Sequence, residues 1–280
     1  MREIRTPEEA AELAGLATAA LTLDLPEAPA LLTRLAAPPP GRRWTALVTG
    51  RDDGVVFASV SGRDPSVGHI DLLAVHPRAQ GRGYGRALVA AAEEWLRGEG
   101  VTRVRFAGNP PCYAWPGIDV RATPAACLAE RLGYRHDGMA WNMTARLDQD
   151  LSAPAPPGVT IATAAPGERA GVAAFVRAHW NDEWAWEVEQ ATGVHYAVRD
   201  GEILGFAAWG SRPGWFGPTR TAPAARGLGI GRVLLRRCLA EQRAAGLTTV
   251  QIGWVGPLRF YSRAVGARAE RVFWQYARDL

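Results

Sequence analysis

Apolar residues recur along this chain in two rhythms, one of period two and one near 3.6, and the order of the rhythms is written twice. In the first half, Arg2 to Arg5 reads as a short strand, and Pro7 opens a helical pattern running through Leu13, Leu16 and Ala17. A second helical stretch, Ala28 to Leu35, is stopped by Pro38-Pro39-Pro40. Trp44 to Thr49 and Val55 to Ser61 read as strands around Asp52-Asp53-Gly54, a hairpin signal, and the second half repeats it as Tyr196 to Arg199, Asp200-Gly201 and Ile203 to Trp209. Ile70 to Val75 is a further strand. Leu88, Ala91, Ala92, Trp95 and Leu96 then fall at i, i+3, i+4, i+7 and i+8, one face of a helix that Gly98 and Gly100 bring to an end. Val101 to Phe106 predicts a strand, Ala125 to Leu132 a short helix and Met139 to Leu147 a final strand. The repeat is mixed α/β.

The duplication extends beyond the pattern. At one constant offset Pro77 answers to Pro223, Gln80 to Arg226, Gly83 to Gly229, Gly85 to Gly231 and Gly100 to Gly246. At a second offset Gly133 answers to Gly266, Trp141 to Trp274 and Leu147 to Leu280, so the first half carries an insertion around residues 112–124. A period this long predicts two homologous domains, not a solenoid. The 280 residues and 48% hydrophobic content suffice for two cores. The expected division is residues 1–148, a Pro-rich linker at 149–158, and residues 159–280.

The most specific signal is a glycine-rich segment, Gln80-Gly81-Arg82-Gly83-Tyr84-Gly85, which recurs as Arg226-Gly227-Leu228-Gly229-Ile230-Gly231. Each copy lies between a predicted strand and an amphipathic helix. There several backbone N–H groups can converge on one anion while the helix dipole favours negative charge, a fit for a pyrophosphate. Arg86 and Arg232 occupy the position where a dinucleotide fingerprint needs its third glycine, which excludes that reading. The chain has no lysine, which excludes a Walker phosphate loop.

Composition narrows the partners. Arginine supplies all 32 basic residues, scattered along the chain, and the net charge is +4, which suits a small polyanionic ligand and makes no concentrated face for nucleic acid. Cys112, Cys127 and Cys238 are widely spaced, as reduced thiols of a cytoplasmic protein would be, and the histidines show no metal-site spacing. No apolar run reaches membrane-spanning length, and no signal peptide is expected.

The motif R/Q-x-x-G-x-G between strand and helix, with Val75-His76-Pro77 upstream, closely resembles motif A of the GNAT superfamily of acyl-CoA N-acyltransferases, once in each half. The resemblance implies two tandem domains, each a mixed, mostly antiparallel, splayed sheet flanked by helices. It implies acetyl-CoA or another acyl-CoA as donor, without a metal, and a small-molecule amine as acceptor. The loop N–H groups would hold the CoA pyrophosphate, which assigns Gln80, Gly81, Arg82, Gly83, Tyr84, Gly85 and Arg86 in one half. Arg226, Gly227, Leu228, Gly229, Ile230, Gly231 and Arg232 answer in the other. The splayed strand, Leu73, Ala74 and Val75 or Thr219, Arg220 and Thr221, would pair with the pantetheine arm.

Proton-handling residues are divided between the halves. The family often places a carboxylate on the splayed strand to take the amine proton; that position is Asp71 in the first half and Gly217 in the second. It often reprotonates the thiolate from a Tyr on the short helix after the next strand, which is Tyr261 in the second half, one residue farther from its glycine than usual, and falls at Leu128-Ala129 in the first. A Tyr there also packs in a core, and a strand Asp also sits at an exposed edge, so each residue keeps a structural alternative. The second half is the expected site of transfer. Asp182, Glu183, Trp184 and Trp186 stand where the family binds its acceptor. Acids beside indoles would suit a cationic amine with a sugar or other flat face, or would form an ordinary amphipathic helix. Two alternatives remain: an acyl carrier protein as donor, and a non-catalytic acyl-CoA-binding module.

Overall fold

The computed structural model describes residues 1–25 and 27–280. The chain forms two compact units, Met1–Ala140 with Val272–Leu280, and Trp141–Arg271. Among the described residues no helix is long and apolar enough to cross a membrane.

In the first unit, β1 (Arg2–Ile4) is followed by α1 (Pro7–Ala11), α2 (Ala14–Ala20) and α3 (Ala28–Leu35). The helical pattern expected from Pro7 breaks into two helices because Leu13 N–H turns back to the Ala10 carbonyl and the Leu13 side chain is buried. β2 (Trp44–Val48), β3 (Gly54–Val60) and β4 (Val67–Val75) continue an antiparallel run from β1. Thr49 Oγ1 closes the β2–β3 turn by accepting from the backbone N–H groups of Asp53 and Gly54, both at 3.0 Å. α4 (Tyr84–Gly98) buries Leu88, Val89, Ala92 and Leu96 against the sheet. Each fully buried leucine there contributes roughly 1.5–3 kcal/mol. β5 (Arg103–Phe106) runs parallel to β4, and β6 (Ile118–Asp119) and α5 (Thr123–Arg131) follow.

The second unit repeats the plan. β7 (Arg135–Arg146) leads to β8 (Thr160–Thr163), α6 (Arg169–His179), α7 (Asp182–Gln190), β9 (Gly193–Arg199), β10 (Glu202–Trp209) and β11 (Trp215–Thr221). α8 (Ile230–Ala244), β12 (Thr249–Ile252), α9 (Leu258–Val265) and β13 (Arg268–Asp279) complete the chain. The β9–β10 turn has φ of 53° at Asp200 and 83° at Gly201, the left-handed pair that a tight hairpin requires.

The division differs from the sequence expectation at the last strand of each half. Tyr276–Asp279 of β13 pair antiparallel with Arg103–Phe106 of β5 in the first unit. Met143–Arg146 of β7 pair antiparallel with Thr249–Ile252 of β12 in the second. Each unit's sheet is therefore finished by the final strand of the other half of the sequence. The expected linker is packed as well: Leu151 is buried in the second core, Arg236 Nη1 donates to the Ser152 carbonyl at 2.7 Å, and Arg243 Nη1 to that of Gln149 at 2.9 Å.

Candidate active site

Both glycine segments form open cradles at helix N-termini. In the first unit His76 Nδ1 accepts from Arg78 N–H at 3.2 Å, a short 3₁₀ turn follows, and Gln80 Nε2 reaches back to the Val75 carbonyl at 3.0 Å. Gly81 and Gly83 adopt φ of 74° and 88° before α4; Gly227 and Gly229 adopt 82° and 83° before α8. A Cβ at any of these four would meet nothing within 4 Å, so the space in front of each loop is free for a ligand. Arg82, Arg86, Arg226, Leu228 and Arg232 are exposed around the cradles, Tyr84, Gly85 and Gly231 are half-buried, and Ile230 anchors its loop in the core. These features fit a CoA pyrophosphate.

Beside each cradle the sheet opens. β4 pairs with β5 only from Val67 to His69 and then continues to Val75 paired with β3 alone. β11 pairs with β12 only at Trp215 and Phe216 and continues to Thr221. Leu73 to Val75 and Thr219 to Thr221 therefore line the open side of a splay, where their backbone groups are unclaimed by a parallel neighbour.

In the first unit the expected base is buried. Asp71 lies at a register shift between β3 and β4, buried, with Oδ1 unpartnered. Burial pushes its carboxyl up to about 7, against a hydrogen bond from Ser59 and the field of Arg42. The adjoining cavity, ≈ 10 Å³, is lined in part by Arg42, Ser59, Phe57 and Cys112, and it has room for about one water, not for a metabolite. Arg42 donates to the carbonyls of Asn109, Pro110 and Cys112, and Asn109 Nδ2 donates to Ser59 Oγ at 2.7 Å. The inserted loop thus covers Asp71, and Leu128 packs against Gly85 where a proton-donating side chain would be needed. Asp71, expected as a base, is thus buried beside a cavity with room for about one water.

The second unit has a different arrangement. Tyr261 on α9 is 7% exposed, with its ring against Phe260 (centroids 4.9 Å) and Phe216 (6.2 Å). Phe216 is the last β11 residue paired before the strands part, so Tyr261 stands at the apex of the splay. Burial pushes its phenol up to about 12, against the cation of Arg220, so it keeps its proton at neutral pH. Gly217 occupies the position answering to Asp71 and offers no base.

The α7 residues differ in their surroundings. Asn181 caps the helix, its Oδ1 accepting from Trp184 N–H at 2.8 Å. Asp182 is bound to Arg177 at 2.8 Å and points to solvent. Trp184 packs toward Phe206 (centroids 6.5 Å) under the Arg220 guanidinium at 5.5 Å, while Glu183 and Trp186 are half-buried. His195 is buried with Nδ1 3.1 Å from Thr163 Oγ1 and Nε2 3.1 Å from Glu241, and burial holds its imidazole below the usual range. Among the described residues no group of three His, Cys, Asp or Glu side chains could hold a metal ion.

Sequence reasoning missed two side chains. Arg42 follows a Pro-rich stretch and belongs to no motif. Arg220 was assigned for its backbone alone, although the repeat shows Ala74 in its place, a break of symmetry legible beforehand.

The sequence model of the Acetyltransferase (GNAT) family matches residues 12–114 and 150–266. A mycothiol acetyltransferase of Thermobispora bispora is 31% identical over 280 residues, covering 89% of this chain and 88% of the relative. One of Thermomonospora curvata is 31% identical over 224 residues, covering 72% and 70%. Among solved structures, a GCN5-related glucosamine N-acetyltransferase region of a fungal multi-domain GH3 beta-N-acetylglucosaminidase superposes with a TM-score of 0.76 at 18% identity, covering 99% of this chain and 38% of that one. The chain spans well under half of that fungal protein, and the likeness speaks for the fold. Two cradles, two splayed sheets and two matches to one family model agree: the chain belongs to the GNAT family of acetyltransferases.

Proposed function

We propose that the second unit transfers an acetyl or other small acyl group from acyl-CoA to the primary amine of a small polar metabolite, and that an amino sugar is the finer reading of that acceptor. The observation that carries the assignment is Tyr261 at the apex of one splay, set against Asp71 sealed beneath the loop in the other unit. The neutral amine attacks the thioester carbonyl carbon, the C–S bond breaks as the amide forms, the amine proton leaves through water, and the thiolate takes the proton of Tyr261. A backbone N–H of the splayed strand, from Thr219 to Thr221, stabilises the developing oxyanion. The first unit binds donor at Gln80–Arg86 without transferring it.

Relatives named as mycothiol acetyltransferases and a structural neighbour named for glucosamine N-acetylation support a small-molecule amine. Nothing in either unit favours a carrier protein over acyl-CoA. A cytoplasmic location fits a CoA-dependent reaction and the three free thiols. The test follows thiol release from acetyl-CoA with a panel of amines. Tyr261→Phe is expected to lower kcat by about 10²–10⁴-fold while Asp71→Asn leaves it unchanged. The reverse result would move the reaction to the first unit.

A further inference from the structure

Arg220 breaks the symmetry of the repeat at the acceptor face. The corresponding Ala74 is buried, whereas Arg220 is exposed on the strand that lines the second splay. It stands opposite Phe206 in the β10–β11 register, and Trp184 of α7 packs toward the same Phe206. The guanidinium carbon lies 5.5 Å from the Trp184 ring centroid, within cation–π range, which limits the side chain's freedom while leaving N–H donors for a ligand. Among the described residues no carboxylate pairs with it, although Asp182 and Glu189 on the same α7 helix are both taken by Arg177. Its charge also reaches the reacting end of the site, since it is the one group that pulls the Tyr261 phenol back toward easier ionisation.

We propose that Arg220, steadied on Trp184, is the anion-recognition element of the acceptor site, and that the acceptor is an amine carrying a carboxylate or phosphate group. A planar guanidinium matches both groups with paired N–H donors, which an ammonium cannot do as well. A fixed cation nearby also favours the neutral amine over the ammonium, useful where Gly217 has replaced the strand carboxylate. The proposal rests on the reading that the second unit transfers.

The test compares glucosamine, glucosamine 6-phosphate and 2-amino-2-deoxyglucuronic acid, which differ only in the group at C6. A three-carbon series of 3-aminopropanol, 3-aminopropyl phosphate and β-alanine accompanies them. Wild-type protein is expected to favour an anionic member over its neutral analogue in kcat/KM, the phosphate and carboxylate arms showing which oxyanion is read. Arg220→Ala is expected to weaken use of the anionic amine roughly 10- to 100-fold more than use of its neutral analogue, and Arg220→Lys to fall between. Calorimetry of the same amines with the CoA-loaded protein reads binding without turnover. Anion-dependent binding lost in Arg220→Ala, with no thiol released by any amine, would uphold the recognition site and sink the transfer reading. Equal treatment of neutral and anionic members in both series, no binding or use of any anionic member, or a preference that survives Arg220→Ala, would overturn the proposal.

Discussion

Arg42 Nη1 donates to the carbonyl oxygen of Asn109 at 2.7 Å, and the same side chain also holds the carbonyls of Pro110 and Cys112. One arginine thereby gathers the start of the inserted loop and folds it over Asp71. Hydrogen bonds from a charged donor are each worth about 1.5–3 kcal/mol, and losing several at once is partly offset by water reaching the freed carbonyls. Arg42→Ala is expected to lower the stability of the first unit by about 2–4 kcal/mol. Urea unfolding would read this, while kcat for acetyl transfer stays at the wild-type value. A collapse of kcat in protein that remains folded would count against a purely structural role for the loop.

Asp71 and His69 stand two residues apart on β4 and respond to pH in opposite senses. Burial raises the Asp71 carboxyl from 3.8 to about 7, so its contribution to stability is full below the unfolded value and disappears as pH rises through about 7. Burial lowers the His69 imidazole from 6.5 to about 4, despite a bond to the Ala107 carbonyl, so its contribution is full above the unfolded value and disappears as pH falls through about 4. The slopes oppose between about pH 4 and 7. Wild-type stability is expected to be nearly flat there. Asp71→Asn should leave stability rising with pH by roughly 3 kcal/mol and His69→Gln should leave it falling by roughly 4 kcal/mol across the window. Unfolding midpoints at several pH values check both signs, and the same slope in both variants would refute the account.

The cradles and hairpins were legible because each rests on a local requirement: left-handed φ at Gly83 or Gly229, and a tight turn at Asp200-Gly201. The fate of the final strands was not. Alternation in β7 and β13 says that one face is buried, but the same pattern suits either sheet, and the choice lies in pairings such as Tyr276 with Phe106, far apart in sequence. Glu93 was illegible for the same reason. It falls on the buried face of α4, where a carboxylate is costly until Tyr134 and Arg278 supply partners from distant segments. Tyr261 was legible as a motif, while its position at the apex required the register of β11 against β12.

Arg278 gives that exchange an energetic handle. Its Nη2 donates to Glu93 Oε2 at 3.0 Å and its Nη1 to the Leu132 carbonyl at 2.6 Å, while Tyr134 donates to Glu93 Oε1 at 2.7 Å. Arg278→Ala leaves Glu93 buried with the phenol and a distant Arg97 at 3.9 Å. Breaking a fully buried pair costs about 3–5 kcal/mol, and because Arg278 is partly exposed the expected loss is nearer 2 kcal/mol. Hydrogen exchange should show the loss at Val104 to Phe106 and α4 of the first unit. Loss confined to the second unit would contradict the strand assignment.

The cradle that feeds transfer can be identified by paired glycine substitutions. Gly83 and Gly229 have nearly the same φ, 88° and 83°, and open space before them, so alanine imposes the same strain of about 1–2 kcal/mol at each and sets a methyl group where the pyrophosphate would lie. If the second unit performs the reaction, Gly229→Ala raises KM for acetyl-CoA by about tenfold or more, the equivalent of 1.4 kcal/mol of donor binding. Gly83→Ala should leave kcat and KM at their wild-type values and remove one of two CoA-binding events in a calorimetric titration. Because backbone strain is matched, a difference between the variants reports on ligand binding and not on general loss of stability. Turnover lost in Gly83→Ala alone would instead make the first cradle the donor site for transfer, and the closed pocket around Asp71 would then have to open during the reaction.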